Sequence, residues 1–463
     1  MKPILLLCLI SLVALNACSN DTANSDRNPI QQLDAGREDA STDATQARDV
    51  GAPDSTIARD IISNDAVFGD TDSTHEDTAD AIEEVEEVEE AAADSTAQPD
   101  VSEPAAPHFG FPVYTRAEID AWSTNSPEYT RLANSWAGNV NRVYASYGSE
   151  ISNDERDLLR DEAVYLKVQA VLWAADGNPA RRAKIVERLD ALRGVTSWQW
   201  DAVEQYRLVA GWACTNLAQA AAIIDYQDPE FKRFLTDVSY PLLDWTAGPN
   251  WHASFADSRL AIAAYVKDAT LWEDAKDYFY ARIAQSFYHS AYDHGYVKPL
   301  FADNGNPSIA RTKQHWGGNW GAAQINDDYS PVDPSDFPDG TNAERMRDLG
   351  HVSMSTGAWM HGARTILAQG EVLEPQAYDR LREGYAYHGA RALEFLNTGT
   401  IPPPVPVRGD GGGAIQTGWF GARVLFGADT PAVVLTLCEH PTVTGASAAG
   451  SNHLVAEAFA DGI

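Results

Sequence analysis

The chain has 463 residues and a formal net charge of −33, with 67 acidic against 34 basic side chains. Such acidity argues against a nucleic-acid partner, because proteins bind phosphate backbones through lysine and arginine. Most of the excess charge precedes residue 108, so an anionic ligand remains compatible with a local basic cleft further along the chain.

The N-terminus has the three parts of a secretory signal peptide. Lys2 supplies positive charge, a 12-residue apolar run extends from Ile4 to Leu15, and small residues precede Cys18. The run is too short to cross a bilayer. Leu15-Asn16-Ala17-Cys18 resembles the lipobox of bacterial lipoproteins, which implies a signal peptide over residues 1–17 and a lipid on Cys18. The protein would then be anchored to the outer membrane, on its periplasmic face or at the cell surface; the alternative is ordinary secretion.

Residues 18–107 have the composition of a disordered tether. From Ser19 to Pro107 there are 24 acidic and 4 basic residues, and Phe68 is the one aromatic residue. Such a segment buries too little apolar surface to offset the entropy of ordering it. We therefore expect an extended acidic spacer that follows the lipidated cysteine.

The region from residue 108 to 463 holds all 13 tryptophans and is long enough for a hydrophobic core. We expect one large helical domain and a monomer. An oxidising compartment would permit Cys214 and Cys438 to pair, but two such cysteines are more often simply buried apolar residues.

Helix signals run through this region in chain order. Thr115-Arg116-Ala117-Glu118 has the form of a capping box, Ser126-Pro127 that of an N-cap with a first-turn proline, and Thr270-Leu271-Trp272-Glu273 that of a second capping box. Apolar spacing predicts helices over residues 127–147, 153–175, 179–193, 200–225, 229–245, 252–267, 271–289, 343–369, 375–397, 414–425 and 445–460.

The helical pattern fails between Tyr292 and Thr341, where Gly, Pro, Asn, Asp and aromatic residues predominate. A loop of this length in a compact domain is usually functional or disordered, and its aromatic residues favour order. No stretch of alternating strand character competes with the helices. The sequence therefore predicts an all-α fold, an (α/α) toroid or incomplete toroid of antiparallel helix pairs.

Two segments concentrate polar residues at helix starts, while zinc-protease, phosphate-loop and serine-elbow signatures are absent from the sequence. The first segment is Gly248-Pro249-Asn250-Trp251-His252-Ala253-Ser254. Taken alone, Asn250 and His252 are better explained as a helix cap and a buried histidine.

The second segment runs from Asp339 to His351. Glu344 and His351 are each three or four residues away from Arg347 and from Asp348. This spacing predicts that Glu344, His351 and one of Arg347 and Asp348 lie on one helix face. Taken alone, they suit a network that braces helices. Their donor types would also suit a metal, but we predict neither a metal nor a cofactor.

Together the two segments resemble the alginate lyase family of helical-toroid polysaccharide lyases. The resemblance rests on Asn250-Trp251-His252 before an alanine-rich helix and on Asp339-Gly340 leading to Glu344-x-x-Arg347-Asp348-x-Gly350-His351, and it spans about residues 115–400. It implies β-elimination on alginate or a related polyuronate, in which the C5 proton is removed and the C4–O bond breaks. An anionic polysaccharide would be the partner.

The resemblance also implies roles for individual residues. Asn250 and His252 would donate to the uronate carboxylate, with His252 alternatively the base. Tyr296 would transfer the proton, with Tyr288 and Tyr292 as rivals. The substrate-binding residues would include Arg347 and His351, oriented by Glu344 and Asp348, and the sugar-stacking Trp251, Trp316 and Trp320.

Two other functions remain open on the sequence. A glycoside hydrolase on the same architecture would need two carboxylates across a cleft, with Asp257 or Asp303 as partner to Glu344 or Asp348. A sugar-binding lipoprotein would keep the groove without catalysis.

Overall fold

The computed structural model describes residues 109–144, 146–202, 204–244, 248–302, 305–316, 324–345, 348–400 and 418–444. The predicted signal peptide, Cys18 and the acidic tether lie outside these residues. The described chain is mostly helical, which confirms the all-α class.

The helices, numbered in chain order, are Arg116–Ala121 (α1), Pro127–Asn134 (α2), Asn153–Asp176 (α3), Pro179–Asp190 (α4), Gln205–Ile223 (α5), Pro229–Arg233 (α6), Pro249–Val266 (α7), Ala269–Ile283 (α8), Ser290–Asp293 (α9), Ile309–Trp316 (α10), Leu349–Ala368 (α11), Pro375–Thr398 (α12), Trp419–Phe426 (α13), Ala432–Glu439 (α14) and Pro441–Thr444 (α15). Two short parallel strands, β1 (Glu150–Ile151) and β2 (Ser197–Trp198), pair Glu150 with Ser197.

Four long helices, α3, α5, α7 and α11, form the core. Helix α3 packs on α5, α5 on α7, and α7 on α11, and nearly every residue of α5 and α7 is buried. A helix that is buried all round needs apolar or small residues on every face, which the alanine-rich α5 and α7 provide. Helices α4, α8 and α12 each pack on the core helix that precedes them.

The predicted helix over 127–147 ends early, at Asn134. Beyond that point backbone carbonyls serve tertiary contacts: the Ala137 carbonyl accepts from the Gln169 amide, and the Gly138 carbonyl accepts from Arg181 at 3.0 Å. Side chains from α3 and α4 thus replace the helical bonds that the apolar pattern predicts.

The predicted helix over 229–245 changes its winding within its length. Helix α6 passes into a π-helical turn, Phe234–Ser239, and then into a 3₁₀ turn, Tyr240–Leu243. Pro241 lacks a backbone N–H and clashes with the carbonyl four residues earlier, so the α pattern cannot continue through it.

Helix caps confirm two of the three predicted start signals. Thr115 and Glu118 form the capping box, and Ser126 caps α2 with Pro127 in its first turn. The box at Thr270 is wrong, because Asp268 caps α8 by accepting from the N–H groups of Thr270 and Leu271 at 2.8 and 3.0 Å.

Helices α9, α10, α14 and α15 lie outside the predicted helix ranges. Cys214 and Cys438 are both buried, and no disulfide joins them. Burial raises the pKa of Cys214 to about 12. Within the described ranges, no helix combines the length and apolarity needed to cross a bilayer.

Candidate functional site

The first turn of α7 carries Asn250 and His252. Gly248, not Asn250, is the N-cap, and its carbonyl accepts from the N–H groups of Trp251 and His252, both at 3.0 Å. The Asn250 and His252 side chains are 3 % and 1 % exposed, so the helix start holds two polar groups in a dry position.

His252 is kept neutral by its surroundings. Burial holds the pKa of His252 well below its ordinary value, and the nearby charges of Arg282, His315 and Arg311 lower it further. Its ring meets that of Tyr278 edge-on, with 6.3 Å between centroids. A neutral imidazole in this position suits hydrogen-bond donation to an anion better than proton uptake.

Tyr278 and Arg282 lie one turn apart on α8 and also line a groove of about 560 Å³. Arg282 lies over the rings of Tyr278 and Phe301, 5.5 and 5.1 Å from the centroids, and donates to the Gln285 side chain at 3.2 Å. Among the described residues, Arg282 has no carboxylate partner within ion-pair distance. The charged lining of the groove comprises Asp244, Arg259, Asp274, Asp277, Arg282 and Lys298.

His315 joins the two sequence segments. It ends α10, and its ring lies against Gly248, where a Cβ would come within 2.6 Å of the His315 Cε1 atom. On its other side, His315 Nδ1 lies 3.4 Å from the Glu344 Oε1 atom. Glu344 is 2 % exposed and therefore presents a buried carboxylate to the imidazole.

Backbone hydrogen bonds join the second segment to the residues that follow α8. The Tyr288 N–H donates to the Thr341 carbonyl, and the Ala343 N–H donates to the Ser286 carbonyl, both at 2.9 Å. Gly340 has a φ of +83° and packs on α12, where a side chain has no room. These contacts hold the residues just before Glu344 against the segment that follows α8.

The prediction that Glu344 and His351 share one helix face is wrong. Helix α11 begins at Leu349 with Asp348 as its N-cap, and Glu344 precedes it in a turn. Asp348 also accepts from the His351 ring at 2.7 Å, so this pair braces the helix start. Arg347 lies outside the described residues. In the described chain no three His, Cys, Asp or Glu side chains cluster as metal ligands would.

The loop tyrosines differ in exposure. Tyr296 is 50 % exposed, whereas Tyr288 is 6 % exposed and packs on Phe337. The Tyr292 hydroxyl donates to Asp379 at 2.5 Å, which raises the Tyr292 pKa. Of these three, only Tyr296 combines a half-exposed ring with a hydroxyl that has no hydrogen-bond partner among the described residues.

The three tryptophans assigned to sugar stacking also differ. Trp251 is half-buried and meets Phe255 edge-on at 6.2 Å. Trp316 is fully buried beside Phe337, so it packs as a core residue and presents no face to a sugar. Trp320 lies outside the described residues, as does Asp303. Asp257 is fully buried, 3.7 Å from His361, and does not face a cleft.

Comparisons with known protein families, curated proteins and solved structures give no match.

Four residues near His252 were missed by sequence reasoning. Tyr278 and Arg282 on α8 and Arg311 and His315 on α10 each form a pair spaced by four residues. That spacing places each pair on one helix face and was the available signal. For Arg311 and His315 the signal was hidden, because α10 itself was not predicted.

Proposed function

We propose that this protein is a polysaccharide lyase that cleaves alginate or a related polyuronate by β-elimination. One observation carries the proposal: the buried donors Asn250 and His252 lie at a helix start with the cationic side chains Arg282 and Arg311 close enough to depress the His252 pKa. An anion with a planar acceptor, such as a uronate carboxylate, fits this set of donors.

The chemistry requires such an anion site. A C5 proton beside an ionised carboxylate is only weakly acidic, so an enzyme must offset the carboxylate charge as the enolate develops. Neutral Asn250 and His252 would donate to that carboxylate, and Arg282 would supply positive charge. The groove beside Arg282 would take the neighbouring sugars.

Two finer features belong to the same proposal. The core helices α3, α5, α7 and α11 would form an incomplete (α/α) toroid with the site at one end. Lipidation at Cys18 would anchor the protein to the outer membrane, with residues 19–107 as the spacer that lets the enzyme reach a polymer.

A glycoside hydrolase is the second candidate. The groove is lined by Asp244 and Asp277, neither of which forms an ion pair with another described residue. Two carboxylates across a cleft are what hydrolysis of a glycosidic bond requires. A hydrolase releases reducing ends without the unsaturated sugar that a lyase makes.

The test is an ultraviolet assay of the full chain, solubilised in detergent, on alginate, polymannuronate, polyguluronate and glucuronan. A lyase produces the absorbance of an unsaturated uronate on at least one polymer. Arg282→Gln should lower kcat/KM by about 100-fold, because a charge-assisted contact is lost. Arg160→Gln, a change at a surface ion pair, serves as the matched control. Reducing ends without absorbance would favour the hydrolase, and no product on any polymer would contradict both.

A further inference from the structure

His315 and Glu344, called the dyad below, lie within ion-pair distance of each other. The two side chains come from separate parts of the chain and meet at 3.4 Å between Nδ1 and Oε1. The Glu344 side chain is 2 % exposed and the His315 side chain 16 % exposed. A buried carboxylate thus lies beside one ring nitrogen of a histidine side chain that is partly exposed to solvent.

Gly248 places this dyad beside the donor pair. Because residue 248 has no side chain, the His315 ring seats directly on the start of α7, two residues before Asn250. His315 also contributes to the field that lowers the His252 pKa. The two histidines therefore lie near each other on different helices, α7 and α10.

The two histidines suit opposite roles. A general base must become positively charged, and His252 is buried beside Arg282 and Arg311, where that charge is strongly disfavoured. His315 instead has the Glu344 carboxylate 3.4 Å from Nδ1, close enough to orient the ring. Because Nδ1 lies beside Glu344, a role in proton transfer would fall to Nε2.

We infer that His315, oriented by Glu344, is the base that removes the C5 proton, while His252 stays neutral and binds the carboxylate. This inference rests on the proposed lyase function. The C5 proton passes to Nε2 of His315, and the C5–H electron pair forms the C4–C5 double bond. The C4–O bond breaks with its electrons on oxygen, and the imidazolium then returns the proton to that oxygen. His315 would be a catalytic residue and Glu344 a positioning residue.

The experiment measures unsaturated-uronate formation by the full chain with and without added imidazole. His315→Ala should lower kcat by about 100-fold or more, the usual contribution of a general base. Imidazole should restore part of this activity in proportion to its concentration, since it can occupy the vacated space. Glu344→Gln should lower kcat by about tenfold with KM little changed. His252→Ala is the matched control, and imidazole should not restore it by proton transfer.

The outcomes separate the inference from the function on which it rests. An unmodified chain that yields no unsaturated product on any polyuronate would defeat the lyase proposal itself. An active chain whose His315→Ala variant keeps activity within threefold, or is inactive and unaffected by imidazole while its circular dichroism is unchanged, would overturn the dyad alone. If His315→Ala loses its fold, His315→Gln replaces it and is expected to be folded and equally slow; an active His315→Gln would also overturn the dyad.

Discussion

His388 shows at the scale of one residue how this fold suppresses charge. It is 2 % exposed, and its ring stacks on Trp419 with 5.7 Å between centroids. Burial, with the nearby Arg391 charge, lowers the His388 pKa from 6.5 to about 3. The folded protein thus binds this proton far less readily than the unfolded chain does.

This pKa shift predicts acid sensitivity. Below pH 6.5 the unfolded chain takes up a proton at His388 that the folded state refuses, so stability falls as pH falls. Between pH 7 and pH 5 His388 should account for a loss of about 2 kcal/mol of unfolding free energy. Urea unfolding at both pH values measures it. In His388→Gln the unfolding free energy should fall less between pH 7 and pH 5, by that amount. The control His440→Gln, at a partly exposed histidine, should keep the pH dependence of the unmodified protein. An equal pH dependence of unfolding free energy in both variants would contradict the assignment to His388.

At the scale of the helix, the start of α8 depends on one side chain that the sequence pattern does not single out. Thr270-Leu271-Trp272-Glu273 matches a capping box, yet Asp268 provides the cap. The helix begins earlier than the pattern indicates, so Thr270 lies inside its first turn. Helix α8 carries both Tyr278 and Arg282, and its start therefore bears on the site.

Substitution of the cap distinguishes these alternatives. Asp268→Ala should cost about 1 kcal/mol of unfolding free energy, because two backbone N–H groups lose their acceptor. Thr270→Ala should lower the unfolding free energy by only about 0.3 kcal/mol, since Ala is favoured inside a helix. Urea unfolding of both variants is the measurement, and a larger loss in Thr270→Ala would restore the capping-box interpretation.

The loop that bears the candidate tyrosines is fixed to α12 by a buried ion pair. Both guanidinium NH₂ groups of Arg380 donate to Asp293, at 2.6 and 2.7 Å, and both side chains are fully buried. Breaking one side of such a pair leaves an uncompensated charge in the interior. The pair therefore connects loop position to helix packing.

Arg380→Met should destabilise the protein by about 3 kcal/mol, because Asp293 loses both guanidinium donors and keeps only Lys298, at 3.5 Å, as a cationic neighbour. The control Arg382→Met removes a half-exposed arginine from the same helix and should cost less than about 1 kcal/mol. Urea unfolding with tryptophan fluorescence measures both. Similar losses in the two variants would show that the buried pair contributes little.

At the scale of the whole molecule, the composition divides the chain near residue 108. The described core is built from helices that follow that point, and the first of them, α1, is tied to α11 by an ion pair between Glu118 and Arg364 at 2.5 Å. The contacts among these helices do not involve the acidic segment. Folding and membrane attachment are therefore expected to be separable.

Removal of the first 107 residues tests this separation. The 108–463 fragment should keep the melting temperature and helical circular dichroism of the full chain, since the acidic segment buries little apolar surface. In cells, Cys18→Ser in the full chain should shift the protein from the membrane fraction to the soluble one, whereas Cys214→Ser should not. A fragment that fails to fold would contradict the domain boundary, and a membrane-bound Cys18→Ser would contradict lipidation.

Local signals account for what the sequence by itself determined. Apolar periodicity and turn residues predicted the helical class and most helix positions, because a helix repeats every 3.6 residues wherever it lies. The Thr115 box and the Ser126 cap were also predicted, since a cap involves neighbours only three residues apart. Asn250 and His252 were singled out as polar residues at a helix start.

Only the tertiary structure decided which side chains surround them. His315 meets Gly248 and Glu344 across long separations in the chain, and Arg282 approaches His252 from another helix. Burial of Trp316 and the early end of α2 likewise depend on contacts with distant segments. Such contacts follow from how helices pack, which local periodicity does not encode, and the low His252 pKa exists only once that packing removes water.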